Sequence, residues 1–194
     1  FYGKDKPVEL YENLEPGKDF LANVCKEWEH EAFAAKKSNI RTIALRIGIV
    51  LGYEGGAMKK MLPPFWVGAG GNLGHGNQWM SWIHVNDLVG MIIHSLENKE
   101  MQGVYNATSP EPVTNKEFTK CLAKTLRRPA LIPVPRFALK LILGEMSDLL
   151  LGSLKVSSLK IVDSGYKFKF PDLKSALTDI CKNSTNEFVV EHCL

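Results

Sequence analysis

The stretch RTIALRIGIVLG, residues 41–52, decides the fold class of this chain. Its interior is apolar and rich in β-branched side chains, with Arg46 as the only internal charge. Such a continuous run predicts a strand that is buried on both faces, as strands of parallel sheets are. An amphipathic helix is predicted just upstream, from an N-cap at Asp19 to near Lys37. A helix followed by a buried strand is half of a crossover unit, so the sequence predicts an α/β fold.

A stretch rich in proline and glycine, residues 53–78, follows this strand. Pro63 and Pro64 are expected to stop any helix that begins near Ala57. Long glycine-rich loops often line binding sites, so His75 and Gln78 are candidates for orienting a substrate, with plain exposure to solvent as the alternative.

Large aromatic side chains lie within this stretch and directly after it. Leaving Phe65, Trp79 or Trp82 exposed would forfeit roughly 1.5 to 3 kcal/mol for each side chain. These residues either wall a pocket for a flat ligand or fill the core, and the sequence leaves both readings open.

The stretch WIHVNDL, residues 82–88, places a histidine and a carboxylate where a strand leads into a helix. Sheets of α/β proteins assemble ligand crevices at such junctions. The structural alternative is a corner, in which Asn86 or Asp87 caps the helix and His84 bonds to a neighbouring loop. Apolar residues lie nearly all round this helix, so we expect it to be largely buried.

Six further elements are predicted downstream. Residues 103–109 form a strand, and Thr114-Asn115-Lys116-Glu117 is a capping box that starts a helix. Residues 136–152 suggest two short apolar helices hinged at a glycine, and YKFKF at 166–170 alternates with the period of a half-buried strand. A last helix spans 172–181.

Composition excludes several classes of protein. The 194 residues carry 24 basic and 21 acidic side chains spread along the chain, without the basic stripe that nucleic acid requires. No apolar run of about 18 residues predicts a membrane span. The four cysteines lie far apart, which predicts neither a metal site nor a disulfide framework and favours a reducing compartment, cytoplasmic or inside an organelle.

Seven stretches, taken in order, resemble the epimerase-like atypical short-chain dehydrogenases/reductases, an NAD(P)-dependent, sugar-nucleotide epimerase-like family with its own C-terminal module. They are DFLANVCKEWE, LRIGIVLG, GGAMKKMLPPF, GGNLGHGNQWMSWIHVNDL, NATSPEPVTNKEF, RPALIPVPRFALKLILGEM and SGYKFKFPDLKSAL. The resemblance implies that residues 1–110 are the C-terminal part of a Rossmann-like domain with a glycine-rich substrate loop. Residues 111–182 would be a small α/β substrate lobe and 183–194 a frayed tail.

The family's phosphate-binding glycine motif and its first strands do not occur in this sequence, so the N-terminal nucleotide-binding half is absent from the chain. Either the chain is a fragment, or another polypeptide completes the domain. The resemblance implies NADP or NAD as cofactor, with NADP favoured, beside Arg46, Gly48 and Ile49. From the residues alone, a structural ion pair is an alternative role for Arg46.

Relatives with redox chemistry use a Tyr-x-x-x-Lys pair, and the resemblance places Leu21 and Cys25 at those positions. A proton donor would then be Tyr2 or His75, since neither replacement exchanges a proton. The family's diphosphate-binding arginine is replaced by Met80, with Gln78 nearby. We expect an NADP(H)-dependent oxidoreductase or epimerase-like protein that acts on a small molecule, or a catalytically silent nucleotide-binding or interaction subunit. A cavity lined only by Leu21, Cys25 and tryptophans would exclude the enzyme.

Overall fold

The computed structural model describes residues 1–4, 6, 8–131, 133–135 and 152–192, and for residues 183–192 it describes only the backbone. The strands are β1 Glu9–Leu10, β2 Ile43–Ile47, β3 Ile49–Leu51, β4 Trp79–Met80, β5 Trp82–His84, β6 Gly103–Ala107, β7 Val113–Thr114 and β8 Lys155–Val156. The helices are α1 Phe20–Ala34, α2 Gly56–Trp66, α3 Val85–Glu97, α4 Asn115–Leu126, α5 Leu159–Asp163 and α6 Leu173–His192.

Parallel strand pairs dominate the sheets. β2 runs parallel to β6, with Ile43 opposite Gly103, and β3 runs parallel to β5. β1 pairs in parallel with β8, whereas β4 and β7 are antiparallel. Parallel pairs joined through helices confirm the predicted α/β class. The predicted strand 41–52 is present as β2 and β3, which separate at Gly48, where the chain changes partner.

The expectation that this strand is buried on both faces is wrong for β2. All of its residues are half-buried or exposed, and Ile47 is 52% exposed. Within the described ranges β2 pairs with β6 alone, so its other edge is open. The neighbouring helix α1 buries only Ala22, although its N-cap Asp19 is the predicted one.

The helix α2 runs through Pro63 and Pro64, which were expected to stop it. Each proline removes a helical hydrogen bond to the carbonyl four residues earlier, here those of Lys59 and Lys60. All four of these residues are exposed, so water can satisfy the carbonyls. The opposite face holds the helix to the core through Met58, Leu62 and Phe65.

The helix α3 differs from its prediction in its cap and its burial. Its N-cap is His84, not Asn86 or Asp87, because the imidazole Nδ1 accepts a hydrogen bond of 3.1 Å from the amide of Asn86. Only part of the helix packs against the strands, through residues such as Met91. Five of its large apolar side chains are exposed: Val85, Val89, Ile92, Ile93 and Leu96.

The YKFKF segment is not a strand. Its backbone amides at Lys169 and Phe170 donate to the carboxylate of Asp87, at 2.7 and 2.9 Å, and not to a neighbouring strand. An alternating pattern indicates which side chains are buried, but it does not identify the hydrogen-bond partners of the backbone. Here the carboxylate of Asp87 accepts these backbone hydrogen bonds in place of a neighbouring strand.

The capping box at Thr114 and Glu117 is confirmed and starts α4. The predicted last helix is α6, which continues to His192 and so covers most of the segment 183–194. The predicted pair of apolar helices at 136–152 lies, except for Gly152, outside the described residues. No helix in the described part of the chain is long and apolar enough to cross a membrane.

Candidate functional site

A cavity of about 700 Å³ runs along β2, between α1 and the segment 152–156, and extends past the carboxyl end of β2 to Gly48 and Ile49. The carboxyl end of β6 meets it there, because the amide of Gly48 donates to the carbonyl of Ala107 at 3.1 Å. Ligand crevices of α/β sheets form at the carboxyl ends of parallel strands. The fold therefore places this end of the cavity where a ligand site is expected.

Gly48 and Ile49 line the cavity directly after β2 ends. A Cβ at Gly48 would lie 2.5 Å from the carbonyl oxygen of Ser81 and 2.8 Å from the Cγ2 atom of Thr108. Only glycine allows the ends of these strands to approach so closely. The same residue leaves its backbone uncovered by a side chain of its own.

Trp79 is the tryptophan of β4 and lines the cavity. The backbone amide of Trp79 donates to Ser153 Oγ at 3.1 Å. Trp79 also lies opposite Thr114 in the antiparallel pair of β4 and β7. The Lys155 ammonium lies 5.3 Å from the centre of the indole ring. The backbone of Trp79 is thus held on both sides of the strand, and its half-buried indole has a cation beside the ring.

Two hydroxyl-bearing residues, Ser81 and Thr108, line the cavity, and their hydroxyl groups differ in their hydrogen bonding. Ser81 Oγ donates to the carbonyl of Leu154 and accepts from the amide of Val156, both at 2.8 Å. Thr108 Oγ1 is buried and has no hydrogen-bond partner among the described residues. An unpaired buried hydroxyl costs about 1 to 3 kcal/mol, so Thr108 has unused hydrogen-bonding capacity.

Arg46 lies in a polar cluster along the cavity wall. Its Nε and Nη2 atoms donate to the two carboxylate oxygens of Glu29 at 2.7 and 2.9 Å. Its Nη1 atom donates to Tyr2 Oη at 3.0 Å and to the carbonyl of Glu12 at 3.1 Å. The ion pair anticipated as one role of Arg46 is therefore present, and it occupies most of the guanidinium donors.

Tyr2 is buried and lines the cavity. Its hydroxyl donates to Asn106 Oδ1 at 2.6 Å while it accepts from Arg46. Burial raises the pKa of Tyr2, and the nearby guanidinium opposes this rise. The hydroxyl proton is thus already engaged in an internal hydrogen bond.

Leu21 and Cys25, the two residues that the sequence resemblance aligned with the Tyr-x-x-x-Lys pair, both line the cavity. The lining also includes Tyr2, Ser81 and Thr108, so it is not confined to apolar groups and tryptophans.

Four other candidate residues lie away from the cavity. Phe65 and Trp82 are buried in the core with Phe118 and Leu177, and Trp82 Nε1 donates to the carbonyl of Glu111 at 2.9 Å. Gln78 is 2% exposed and its amide donates to the carbonyl of Leu73. His75 is exposed, and its Nδ1 accepts from the amide of Asn77.

His84 and Asp87 form a corner between the sheet and the C-terminal segment. Asp87 is 1% exposed and accepts from Tyr166 Oη at 3.0 Å as well as from two backbone amides. His84 Nε2 lies 3.3 Å from Asp179 Oδ2, an ion-pair distance without the alignment of a hydrogen bond. Burial lowers the pKa of His84, although Asp179 opposes this change. The side chains of this corner do not line the cavity.

Sequence reasoning missed Thr108, Ser81 and Leu154. Thr108 directly follows β6 as Gly48 directly follows β2, so the rule that ligands lie at the carboxyl ends of strands could have identified it. The positions of Ser81 and Leu154 depend on a contact between distant segments, and no local pattern carries that information.

Family comparisons agree with this architecture. Residues 1–108 match the model of the NAD dependent epimerase/dehydratase family, and residues 134–180 match a Domain of unknown function (DUF1731). Two similar relatives are the chloroplastic epimerase family protein SDR39U1 homolog of Arabidopsis thaliana and the epimerase family protein SDR39U1 of Mus musculus. The first is 45% identical over 93% of this chain and 52% of its own length, and the second is 40% identical over 88% and 59%.

Solved structures show the same fold. The human epimerase family protein SDR39U1 (isoform2), whose crystal structure is with NADPH, is 36% identical with a TM-score of 0.87 over 94% of this chain and 62% of that chain. A nucleoside-diphosphate sugar epimerase from Corynebacterium glutamicum is 28% identical with a TM-score of 0.70 over 96% and 38%. The chain spans a little over half the length of the curated relatives named above. These matches confirm the resemblance found in the sequence: the chain belongs to the NAD dependent epimerase/dehydratase family.

Proposed function

We propose that this chain is the C-terminal part of an NADP(H)-dependent oxidoreductase or epimerase-like protein that acts on a small molecule. The observation that supports this proposal best is the cavity that extends to the carboxyl ends of β2 and β6 and is lined there by Gly48 and Ile49. Support for NADP(H) in particular comes from the human relative, whose structure is with NADPH.

The residues present fit one end of such a dinucleotide. A nicotinamide ring needs a flat, largely apolar recess beside uncovered backbone, and Gly48, Ile49 and Trp79 supply these features. The pyrophosphate needs a glycine turn before a helix N-terminus, and the GxGxxG pattern does not occur in the sequence. In this proposal the pyrophosphate site belongs to polypeptide outside the 194 residues, in a half that packs against the open edge of β2.

When bound, the cofactor would supply the hydride chemistry, and the chain's own residues would shape the site. Gly48 and Ile49 would contact the ring, and Trp79 would exclude water from one side. Arg46 would act indirectly, since its guanidinium orients Tyr2 and Glu29. Of the two candidate proton donors, Tyr2 lines the cavity and His75 does not.

A silent binding subunit is the second candidate function. The observation that favours it is that Leu21 and Cys25 face the cavity where the proton-transferring pair is expected. The hydroxyl of Tyr2 is also hydrogen-bonded on both sides, and burial raises its pKa, which makes it a poor proton donor near neutral pH.

A binding experiment tests the cofactor proposal. Reduced nicotinamide mononucleotide, which has no pyrophosphate, and NADPH are titrated separately into the chain while nicotinamide fluorescence is followed. We expect both to bind with similar affinity, because the chain contacts only the nicotinamide end. Gly48→Ala should abolish binding, whereas Gly55→Ala should not, since a Cβ at Gly55 meets no atom within 4 Å.

The comparison is valid only if circular dichroism shows that the Gly48→Ala chain remains folded. Ile49→Ala is a second variant at the proposed contact with the nicotinamide ring, and it should also weaken binding. Absence of binding by the mononucleotide would overturn the proposed site. Binding without oxidation of the reduced cofactor by any carbonyl compound would favour the silent subunit.

A further inference from the structure

The residues that line the cavity show where it lies relative to β2. All residues of the strand, Ile43–Ile47, line it in succession, and not only every second one. Side chains of a strand alternate between the two faces of the sheet, so a cavity on one face would contact alternate residues only. Because this cavity contacts all of them, it lies along an edge of the strand.

The backbone hydrogen bonds of β2 identify that edge. The bonds to β6 begin at the carbonyl of Thr42, at 3.0 Å, and end at the amide of Gly48, at 3.1 Å, and they use every second residue of the strand. Successive residues of a strand direct their amide and carbonyl groups to opposite edges. Those of Ile43, Leu45 and Ile47 therefore point away from β6. In the part of the chain that the structure describes, no strand pairs with this edge of β2.

Farther along, the same edge already holds a parallel strand. The amide of Ile49 is the next in this alternation, and it donates to the carbonyl of Ser81 at 2.8 Å. There β3 pairs in parallel with β5. The open part of the edge is thus a stretch of five residues that ends where β5 begins, and an extended segment placed in it would lie in line with β5.

The helix α1 contributes an apolar stripe to the wall of the same stretch. Leu21, Cys25 and Trp28 line the cavity at intervals of four and three residues, which places them on one face of the helix. Leu21 is 46% and Trp28 72% exposed, and Ala22 is the one buried residue of α1. A crossover helix of an α/β fold packs over two neighbouring parallel strands. This stripe is uncovered where the second of those strands would lie.

We infer that the part of the cavity along Ile43–Ile47 is a strand slot, which binds in trans the polypeptide that completes the domain. An apolar strand of that polypeptide lies parallel to β2, bonds to the backbone of Ile43, Leu45 and Ile47, and covers the stripe of α1. The ligand then occupies only the end of the cavity at Gly48 and Ile49. This inference rests on the proposed function, because that function locates the ligand and requires polypeptide outside the 194 residues.

Two observations favour this occupant over a second copy of the chain. The matches cover only 52% and 59% of the two curated relatives, so these relatives contain polypeptide that this chain does not match. Both described neighbours of the strand region 43–51, β6 and β5, are parallel to it. Two copies related by a twofold axis would instead pair their β2 edges in antiparallel orientation.

Amide hydrogen exchange of the isotope-labelled chain, followed by NMR for each residue, tests the slot. In the chain alone the amides of Ile43, Leu45 and Ile47 should exchange rapidly. Those of Ala44 and Arg46, which face β6, are the internal control and should exchange slowly. Equal protection of all five amides would show that the edge is already paired within the chain and would overturn the inference.

The partner used in the second experiment is the part of the Mus musculus relative that this chain does not match, produced with an affinity tag in the same cells. We expect a one-to-one complex in which exchange of the three edge amides slows by about a hundredfold or more. The two control amides should change little. A soluble tagged partner that does not retain the chain, or a complex that leaves the edge amides unprotected, would overturn the slot. Protection of these amides in a dimer of the chain itself would assign the edge to a second copy.

Trp28→Gln and Phe20→Gln form a matched pair on α1. Both side chains are large and exposed, 72% and 78%, but only Trp28 lines the cavity. Trp28→Gln should weaken the complex by about tenfold or more, as loss of an interface tryptophan does, whereas Phe20→Gln should leave its affinity unchanged. Equal affinities of the two variants would contradict docking against this stripe.

The outcome is separable from that of the cofactor proposal. Binding of reduced nicotinamide mononucleotide by a chain that forms no complex would refute the strand slot and leave the cofactor site standing. A complex with protected edge amides, in a chain that does not bind the mononucleotide, would refute the cofactor site and leave the strand slot.

Discussion

Arg46 holds Glu29 through two parallel hydrogen bonds of 2.7 and 2.9 Å, and this pair is a direct polar connection between β2 and α1. The two side chains are only 10% and 17% exposed, so solvent screens the pair weakly. The main contribution of such a bidentate pair to stability is that it leaves neither charge unpaired. Removal of one partner would leave the other as a nearly buried, uncompensated charge, which lowers the free energy of unfolding.

Replacement of Glu29 tests this connection. Glu29→Ala leaves a nearly buried guanidinium without its carboxylate and should lower the free energy of unfolding by about 3 kcal/mol or more. Glu29→Gln keeps an acceptor and should cost less. Urea unfolding of both variants measures the difference, and a loss below about 0.5 kcal/mol for alanine would show that the pair is solvated.

Asp87 should be more important for stability than a helix cap. Its carboxylate accepts three hydrogen bonds, from Tyr166 and from the amides of Lys169 and Phe170. Asp87→Ala leaves the two backbone amides unpaired, whereas Tyr166 Oη keeps the backbone carbonyl of residue 87 as an acceptor at 2.9 Å. With two buried donors unpaired, we expect a loss above the roughly 0.5 to 2 kcal/mol of a missing cap. Tyr166→Phe should cost about 0.5 to 1.5 kcal/mol by the same reasoning.

Asn86→Ala is the matched control for Asp87, because Asn86 is the adjacent, exposed residue of the same helical turn. Its effect should stay within about 0.5 kcal/mol in thermal or urea unfolding. An Asp87→Ala chain as stable as the Asn86→Ala chain would mean that water or a side-chain rearrangement replaces the carboxylate.

His84 should make stability depend on pH below neutrality. Burial lowers its pKa in the folded chain, whereas the unfolded chain takes up a proton near pH 6.5. The unfolded state therefore binds more protons below that pH, so the contribution of His84 is present above pH 6.5 and is lost as the pH falls through the lower, folded pKa. Protonation of Nδ1 would also remove the acceptor that caps α3.

His84→Asn separates this effect from other titrations, since asparagine caps helices without titrating. The urea midpoints of both chains are compared at pH 7.5 and pH 5.5. The groups that face His84 are Asp179, Asp87 and Lys169, and all three are retained. Equal losses of stability in the two chains would show that another group carries the dependence.

The capping box of α4 should have a smaller effect on the free energy of unfolding, and its two hydrogen bonds are local to one helix end. Thr114 Oγ1 accepts from the amide of Glu117, whose carboxylate accepts in return from the amide of Thr114 at 2.7 Å. Thr114→Ala should lower the free energy of unfolding by about 1 kcal/mol, and Thr114→Ser by a few tenths. Equal unfolding midpoints for the serine and alanine variants would contradict the role of the hydroxyl.

The sequence patterns correctly predicted those elements that are determined by residues close to one another in the chain. The N-cap Asp19, the capping box at Thr114 and the strands within 41–52 follow from side chains close in sequence. The solvent-facing prolines of α2 and the capping role of His84 did not follow, because both depend on which side of an element meets water or a neighbouring loop.

The candidate site was harder to predict for the same reason. Trp79 and Trp82 are two of the four tryptophans and lie three positions apart, yet one walls the cavity and the other is fully buried in the core. Trp79, while paired with β7, also contacts the segment near Ser153, which is far away in sequence and borders the cavity. Hydrophobicity alone assigns both residues to the interior.

The pairing of β1 with β8 also constrains how the chain folds as it is synthesised. Glu9 and Leu10 find their partners only at Lys155 and Val156, and Tyr2 bonds to Asn106. At the usual pace of translation, the first strand leaves the ribosome on the order of ten seconds before its partner does. During that interval Leu10 can pack only against near neighbours such as Tyr2 and Leu14, and it lacks Val156. The strand β1 therefore reaches its native surroundings only after most of the chain has been made.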